Sequence, residues 1–248
     1  DIKFILFYVN EDRQTCLFSA TMPAEIINLA QEYMHDYLEI RLNKDELSLD
    51  TIEQSYLIVK ENEKFKHLCT LIQNRNKKQQ TIIFVSTKQR TEKVFHFLKE
   101  DGFKTTMIHG DLSQKQRNSA IYRFRNGTED ILVATDIVAR GIDVPAVGHV
   151  INYDVPEDPD TYFHRIGRTA RAGGSGIAIS LVSNERIDSF TRIMRKTKQS
   201  MRKLNDEMGI EIPVIQRSPY RTYYRDRPYN NYYNGGNNGS GNTSRYSY

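Results

Sequence analysis

The chain has 248 residues, 38% of them hydrophobic, which is enough for one sizeable core with additional pieces around it. A mean hydropathy of -0.62, no apolar run near the roughly 18–20 residues of a bilayer span, and no signal-peptide pattern at Asp1-Ile2-Lys3-Phe4 argue for a soluble, cytoplasmic protein without a membrane partner. Lysine and arginine together number 35 against 31 acidic residues, a formal +4; beyond Ile212 five arginines face one aspartate, so the residues before that point are balanced and the basic character lies in the tail.

In chain order, Gln14 to Phe18 reads as a short buried strand, and Met22-Pro23 opens a helix from about Ala24 to Tyr37 with Ile26, Ile27, Leu29, Ala30, Tyr33 and Met34 along one stripe. That stripe needs a partner surface, so residues 1–42 are expected to be the end of a preceding domain. Residues 43–50, polar and charged, read as a linker. Asp1 in place of a starting Met fits a fragment of a longer chain. Cys16 and Cys69 each sit among apolar neighbours and read as reduced, packed thiols.

From Thr51 short β-rich runs alternate with helical periods. Strands are expected over 54–59, 80–85, 104–108, 131–134, 147–152 and 176–182; helices over 63–73, 89–101, 113–126, 158–170 and 185–208. Helix and strand in alternation imply βαβ units, a mainly parallel sheet and ligands at the carboxyl ends of its strands. A second domain is therefore expected over 51–212. Residues 213–248, rich in Tyr, Asn, Gly, Ser and Arg, show no apolar periodicity and are expected to be disordered.

The run His164-Arg165-Ile166-Gly167-Arg168-Thr169-Ala170-Arg171 has the greatest chemical content. As the opening of a helix it would project His164, Arg168 and Arg171 from one face, and forked guanidinium donors match phosphate oxygens. A solvated basic helix start is the plain alternative; glycines at 141, 167, 173, 174 and 176 suggest instead a backbone held close to something.

Ser19-Ala20-Thr21, Ile82 to Thr87, Gln114-Lys115-Gln116-Arg117, Thr135 to Asp143 and His164 to Arg171, in that order, resemble the motif series of the DEAD-box ATP-dependent RNA helicases over roughly the first 210 residues. The resemblance implies a RecA-like α/β three-layer sandwich of the P-loop NTPase type, closing with a preceding RecA-like domain on ATP and single-stranded RNA to separate short RNA duplexes. No Gly-x-x-x-x-Gly-Lys-Ser/Thr loop and no Asp-Glu-Ala-Asp run occurs in the chain. It thus resembles the C-terminal half of such an enzyme, inactive alone, with Mg²⁺ ligands expected in the missing N-terminal domain.

By the same resemblance, Arg168 and Arg171 would reach the phosphates of ATP, Arg171 with the larger role, and Gly141 and Asp143 would line the nucleotide; Asp143 could instead cap a turn before Pro145. His164, Arg165, Ser19 and Thr21 would couple the two domains. Asp136 and Arg140 would form interdomain ion pairs, with a local pair as the alternative. Thr87, Gln114, Arg117 and Thr135 would face the RNA sugar-phosphate backbone, although Gln114 and Arg117 could be a solvated face. Ala170 stands where the family more often has glycine. The tail's tyrosines and arginines suggest auxiliary, sequence-tolerant RNA binding; a non-enzymatic RNA scaffold and a related DNA helicase are the alternative functions, and the oligomeric state is left open.

Overall fold

The computed structural model describes the chain except residues 1, 11, 20, 21, 23, 35, 41–50, 77–78, 137–145, 171–173, 198–199 and 214–248. The chain divides into two compact units, 1–49 and 50–248. The expected linker and the expected disordered tail fall almost wholly outside the described residues.

The first unit contains α1 (Ile2–Tyr8) and α2 (Ala24–Tyr33), with Lys3 Nζ donating to the Glu32 carboxylate at 2.9 and 3.0 Å. The strand expected over 14–18 is absent: these residues lie outside helix and strand and are largely exposed, including Phe18 and Cys16. A strand needs hydrogen-bonding neighbours, and among the described residues of this unit there are none in strands to pair with. Cys16 is therefore not a packed thiol here. The apolar stripe of α2 is only partly covered, with Ala30 its one buried member among the described side chains.

The second unit is built on seven strands: β1 (Ile52–Ile58), β2 (Thr81–Phe84), β3 (Thr105–Ile108), β4 (Ile131–Ala134), β5 (His149–Asn152), β6 (Gly176–Val182) and β7 (Arg202–Lys203). They pair in parallel throughout in the order β3-β4-β2-β5-β6-β1-β7. The central strands Thr81-Ile-Ile-Phe84 and Ile131-Leu-Val-Ala134 are buried at every position, the continuous apolar reading of a sheet covered on both faces.

Helices fill both outer layers. On one face α3 (Lys64–Asn74) and α4 (Lys88–Glu100) pack Leu68, Leu71, Ile72, Val94 and Leu98 over Leu57, Ile83, Val133, Ile151 and Leu181. On the other, α5 (Gln114–Arg125) lays Ala120, Ile121 and Phe124 against Ile82, Phe84, Leu132 and Val150; α6 (Pro159–Ile166) and α7 (Ile187–Thr197) cover the same side, where Tyr162 donates to Gln54 at 2.9 Å and Phe190 meets Tyr56. The result is the three-layer RecA-like sandwich. Local signals set its boundaries. Thr87 caps α4, Gly102 at φ +81° follows its end, Ser113 and Gln116 form a capping box on α5, and Asp158 with Pro159 starts α6.

The helix expected over 185–208 is a correction. It ends at Thr197, whose hydroxyl donates back to the Ile193 and Met194 carbonyls, and the chain then forms β7 beside β1. Leu204 and Met208, which continue the apolar period in sequence, pack against the first core instead. Asn205, fully buried, extends the β1 edge by accepting from Ile58 N–H at 2.9 Å and donating to its carbonyl at 2.8 Å.

Candidate functional site

Three neighbouring strands, β3, β4 and β2, end together, and the loops that leave them carry the residues expected to face RNA. Thr87 follows β2 in an extended conformation, exposed, its Oγ1 accepting from Arg90 N–H at 3.3 Å. Thr135 follows β4; it is buried, and its N–H donates to the Ile108 carbonyl at 3.2 Å. Beyond β3, the capping box starts α5 so that exposed Gln114 donates to Asn118 at 2.9 Å, and half-buried Arg117 donates to the Gly110 carbonyl at 2.6 Å.

Beneath these loops lies a charge cluster centred on buried Asp154 and Lys64. The Asp154 carboxylate, just past β5, accepts from Ser86 N–H and Ser86 Oγ at 3.0 Å each, from Arg90 Nε at 3.0 Å and Nη2 at 2.8 Å, and from Lys64 Nζ at 3.1 Å. Lys64 and Arg90 also pair with Glu61 at 2.9 and 2.5 Å and flank the Tyr153 ring. Burial pushes the Asp154 and Glu61 carboxyls up, but the surrounding cations and donors outweigh it and hold both below the usual carboxylate range. Burial raises the Tyr153 phenol to about 12. Both carboxylates are thus charged at neutral pH and the phenol is protonated.

Arg165 joins this cluster to the sheet end. Only 3% exposed, it donates to the Asp136 carboxylate at 2.6 and 2.8 Å, to Asn152 Oδ1 at 3.1 Å and to the Asp154 carbonyl at 2.6 Å, with its guanidinium over Phe84. Two expectations change here. Asp136 has its ion partner within its own unit, the local alternative, and Arg165 faces inward because four acceptors at the strand ends use its donors.

His164 to Ile166 close a helix, and the described residues that follow them in the run do not open one. α6 stops at Ile166 with Gly167 as its cap; Arg168 lies beyond it, its carbonyl accepting from Val147 N–H at 3.1 Å. His164 and Arg168 therefore do not share a helical face. α6 also runs back along the sheet, so Arg168 lies beside the amino end of β5, away from Thr87. Thr169, fully buried, bridges to Val147 and donates from Oγ1 to its carbonyl at 2.5 Å; a Cβ on Gly176 would stand 1.9 Å from that Oγ1. Gly176 thus bears out a close approach, with Thr169 as the partner. Ala170 has φ +53°, a left-handed conformation that glycine adopts freely, which is the physical meaning of a glycine at that position. His164 is half-buried, and its Nδ1 has no hydrogen-bond partner among the described residues.

Ser19 is exposed, outside helix and strand. Thr21, Arg140, Gly141, Asp143 and Arg171 lie outside the described residues. An open groove of about 960 Å³ in the first unit is lined by residues between Arg13 and Ile40 and by none of the candidate residues. Among the described residues no cluster of His, Cys, Asp and Glu side chains could hold a metal ion, and no helix is long and apolar enough to cross a membrane. Sequence reasoning missed Lys64, Arg90, Glu61 and Asp154. The polar Ser86 and Asp154 directly after buried strands were the available signal; nothing in the periodicity marks a buried lysine.

Comparison with known proteins agrees with this geometry. Residues 63–173 match the helicase conserved C-terminal domain. The C-terminal domain of the DEAD-box protein Dbp5 is 36% identical over 63% of this chain and 91% of that domain, with a TM-score of 0.59. The chain belongs to the DEAD-box RNA helicase family. Dbp5 of Saccharomyces cerevisiae, bound to RNA and ADP BeF3, superposes with a TM-score of 0.72 at 34% identity, over 82% of this chain and 55% of that one. The ATP-dependent RNA helicase CshA of Limosilactobacillus reuteri is 41% identical over 81% of this chain. This DEAD-box chain spans 40% of that relative's length.

Proposed function

We propose that this chain is the closing half of an ATP-dependent RNA helicase, with 1–42 the end of the first RecA-like domain, 43–50 a linker and 51–212 the second RecA-like domain. The observation that carries the reading is the gathering of Thr87, Gln114, Arg117 and Thr135 at the carboxyl ends of three adjacent parallel strands, where ligands of such sheets bind. Hydroxyl, amide and guanidinium groups there can hold phosphates and 2′-OH groups without reading sequence. Relatives named as ATP-dependent RNA helicases and a neighbour with RNA bound support it.

On this reading Arg168 and Arg171, beyond α6, stabilise the charge that develops on the ATP phosphates, while Gly141 and Asp143 line the nucleotide. Ser19, Thr21 and His164 meet when the domains dock; the unpartnered His164 Nδ1 supports a contact made only then. Mg²⁺ ligands belong to the preceding domain, so residues 1–248 alone do not hydrolyse ATP. The tyrosines and arginines after residue 213 add sequence-tolerant RNA affinity.

Arg171→Ala in the intact protein tests the reading. It is expected to lower ATP turnover by about 10³-fold or more, the scale of an arginine supplied to phosphoryl transfer, with unchanged circular dichroism. Wild-type turnover refutes that role. Removing residues 213–248 is expected to weaken RNA binding and flatten its salt dependence; an unchanged salt slope contradicts the role of the tail.

A further inference from the structure

We propose that Asp154 is a positioning residue that ties the RNA-facing turn after β2 to the phosphate-facing helix α6, so that binding at one surface is felt at the other. The inference rests on the helicase reading above and goes beyond it by naming the physical link between its two surfaces.

The argument starts from Asp154's two acceptor groups and what each holds. Its carboxylate fixes Ser86 through both backbone N–H and Oγ, and Arg90 through two guanidinium nitrogens. Ser86 and Arg90 bracket Thr87, and Arg90 N–H in turn donates to Thr87 Oγ1. The position and rotamer of Thr87 are thus set from Asp154. Its backbone carbonyl accepts from Arg165 Nη1, and Arg165 lies on the last turn of α6, between His164 and the Gly167-Arg168 exit. The rest of the Arg165 guanidinium holds Asp136, next to Thr135.

Six hydrogen bonds therefore converge on one buried residue. Five donor hydrogens reach its carboxylate, which offers about four lone-pair positions, so the group is saturated and has no slack to absorb displacement. Lys64, almost fully buried with its ammonium on the same carboxylate, supplies the balancing charge. A shift of the β2–α4 turn on RNA binding has to move Asp154, and with it Arg165 and the end of α6. Simple burial of a salt bridge for stability would require only the Lys64 and Arg90 pairs; it gives no reason for the same residue to hold Arg165 by its main chain.

The test uses the intact protein and measures single-stranded RNA affinity with and without a non-hydrolysable ATP analogue. In the wild type the analogue is expected to tighten RNA binding by about fivefold or more, the ordinary range of coupling between sites. Asp154→Asn, which turns one carboxylate oxygen into a donor facing Ser86 and Arg90, is expected to reduce that ratio to below about twofold. Binding of the analogue in the absence of RNA is expected to stay within about twofold of wild type. Ser86→Ala, at an exposed residue and without change of charge, is expected to reduce the ratio by a smaller amount and covers the case in which Asp154→Asn does not fold. Wild-type ratios in folded Asp154→Asn, or in Ser86→Ala when Asp154→Asn is unfolded, overturn the proposal while leaving the helicase reading intact. Absence of RNA binding in the wild type overturns both.

Discussion

The two edges of the parallel sheet in the second unit are held by different physics. At the carboxyl edge, Arg165, Asp136, Asp154, Lys64 and Arg90 form charged hydrogen bonds at 2.6–3.1 Å, and every Arg165 nitrogen has a partner. At the amino edge, close approach dominates: Thr169 lies against Gly176, and Gln79 lies so near Gly148 that a Cβ there would be 2.5 Å away. Also at this edge Arg75, its side chain 5% exposed, pairs with Asp130 at 2.8 Å, while its Nε and Asp130 Oδ1 have no hydrogen-bond partner among the described residues. Saturated polar geometry marks the edge to which the helicase reading assigns RNA; close packing marks the edge beside which Arg168 leaves α6.

Breaking the carboxyl edge is expected to have the largest effect. Arg165→Ala strands Asp136, Asn152 Oδ1 and the Asp154 carbonyl, and is expected to cost about 3–5 kcal/mol in urea unfolding. A loss under about 1 kcal/mol would show that its bonds are replaced by water. Gly176→Ala tests the amino edge: its Cβ cannot fit against fully buried Thr169, and a loss of about 1–3 kcal/mol is expected. An unchanged unfolding midpoint would mean that Thr169 moves aside.

The edges are also expected to separate on acidification. Burial, with the nearby Arg75 charge, holds the His149 imidazole below its ordinary value, and Asp154 is held below the carboxylate range. In each case the folded group binds fewer protons than the unfolded one, so stability falls as pH falls. The His149 contribution is fully present above about pH 6.5 and declines below it, whereas that of Asp154 is lost only below about pH 4. Unfolding measured between pH 7 and 5.5 is expected to show a slope that His149→Gln flattens; an equal slope in that variant contradicts the assignment. The smallest expected effect is a gain, with Ala170→Gly stabilising by up to about 1 kcal/mol through relief of its left-handed backbone. Destabilisation would show that the alanine methyl contributes packing that outweighs the strain.

Most strands of this unit were legible in sequence because a sheet covered on both faces needs uninterrupted apolar runs, as in Ile82 to Val85 and Ile131 to Ala134. Thr87 and Gln114 were placed correctly relative to strand ends and helix starts for the same local reasons. What sequence hid was tertiary. The exit of α6 at Gly167 depends on Thr169 docking against Val147 and Gly176, and the end of α7 at Thr197 depends on Leu204 and Asn205 finding the β1 edge. Lys64, charged and on a helix, shows no sign in sequence that it turns inward to Asp154. Gln14 to Phe18 has the apolar run of a strand, but the described residues of its unit include no strand for it to pair with.

The division between the edges is most directly tested by amide and side-chain NMR of this chain titrated with a single-stranded RNA oligonucleotide. The account predicts shifts at Thr87, Gln114, Arg117 and Thr135, carried to Arg165 Nε–H, with Arg75, Asp130 and His149 unmoved. Shifts centred on the amino edge, or none at the carboxyl-edge residues at saturating RNA, would contradict it.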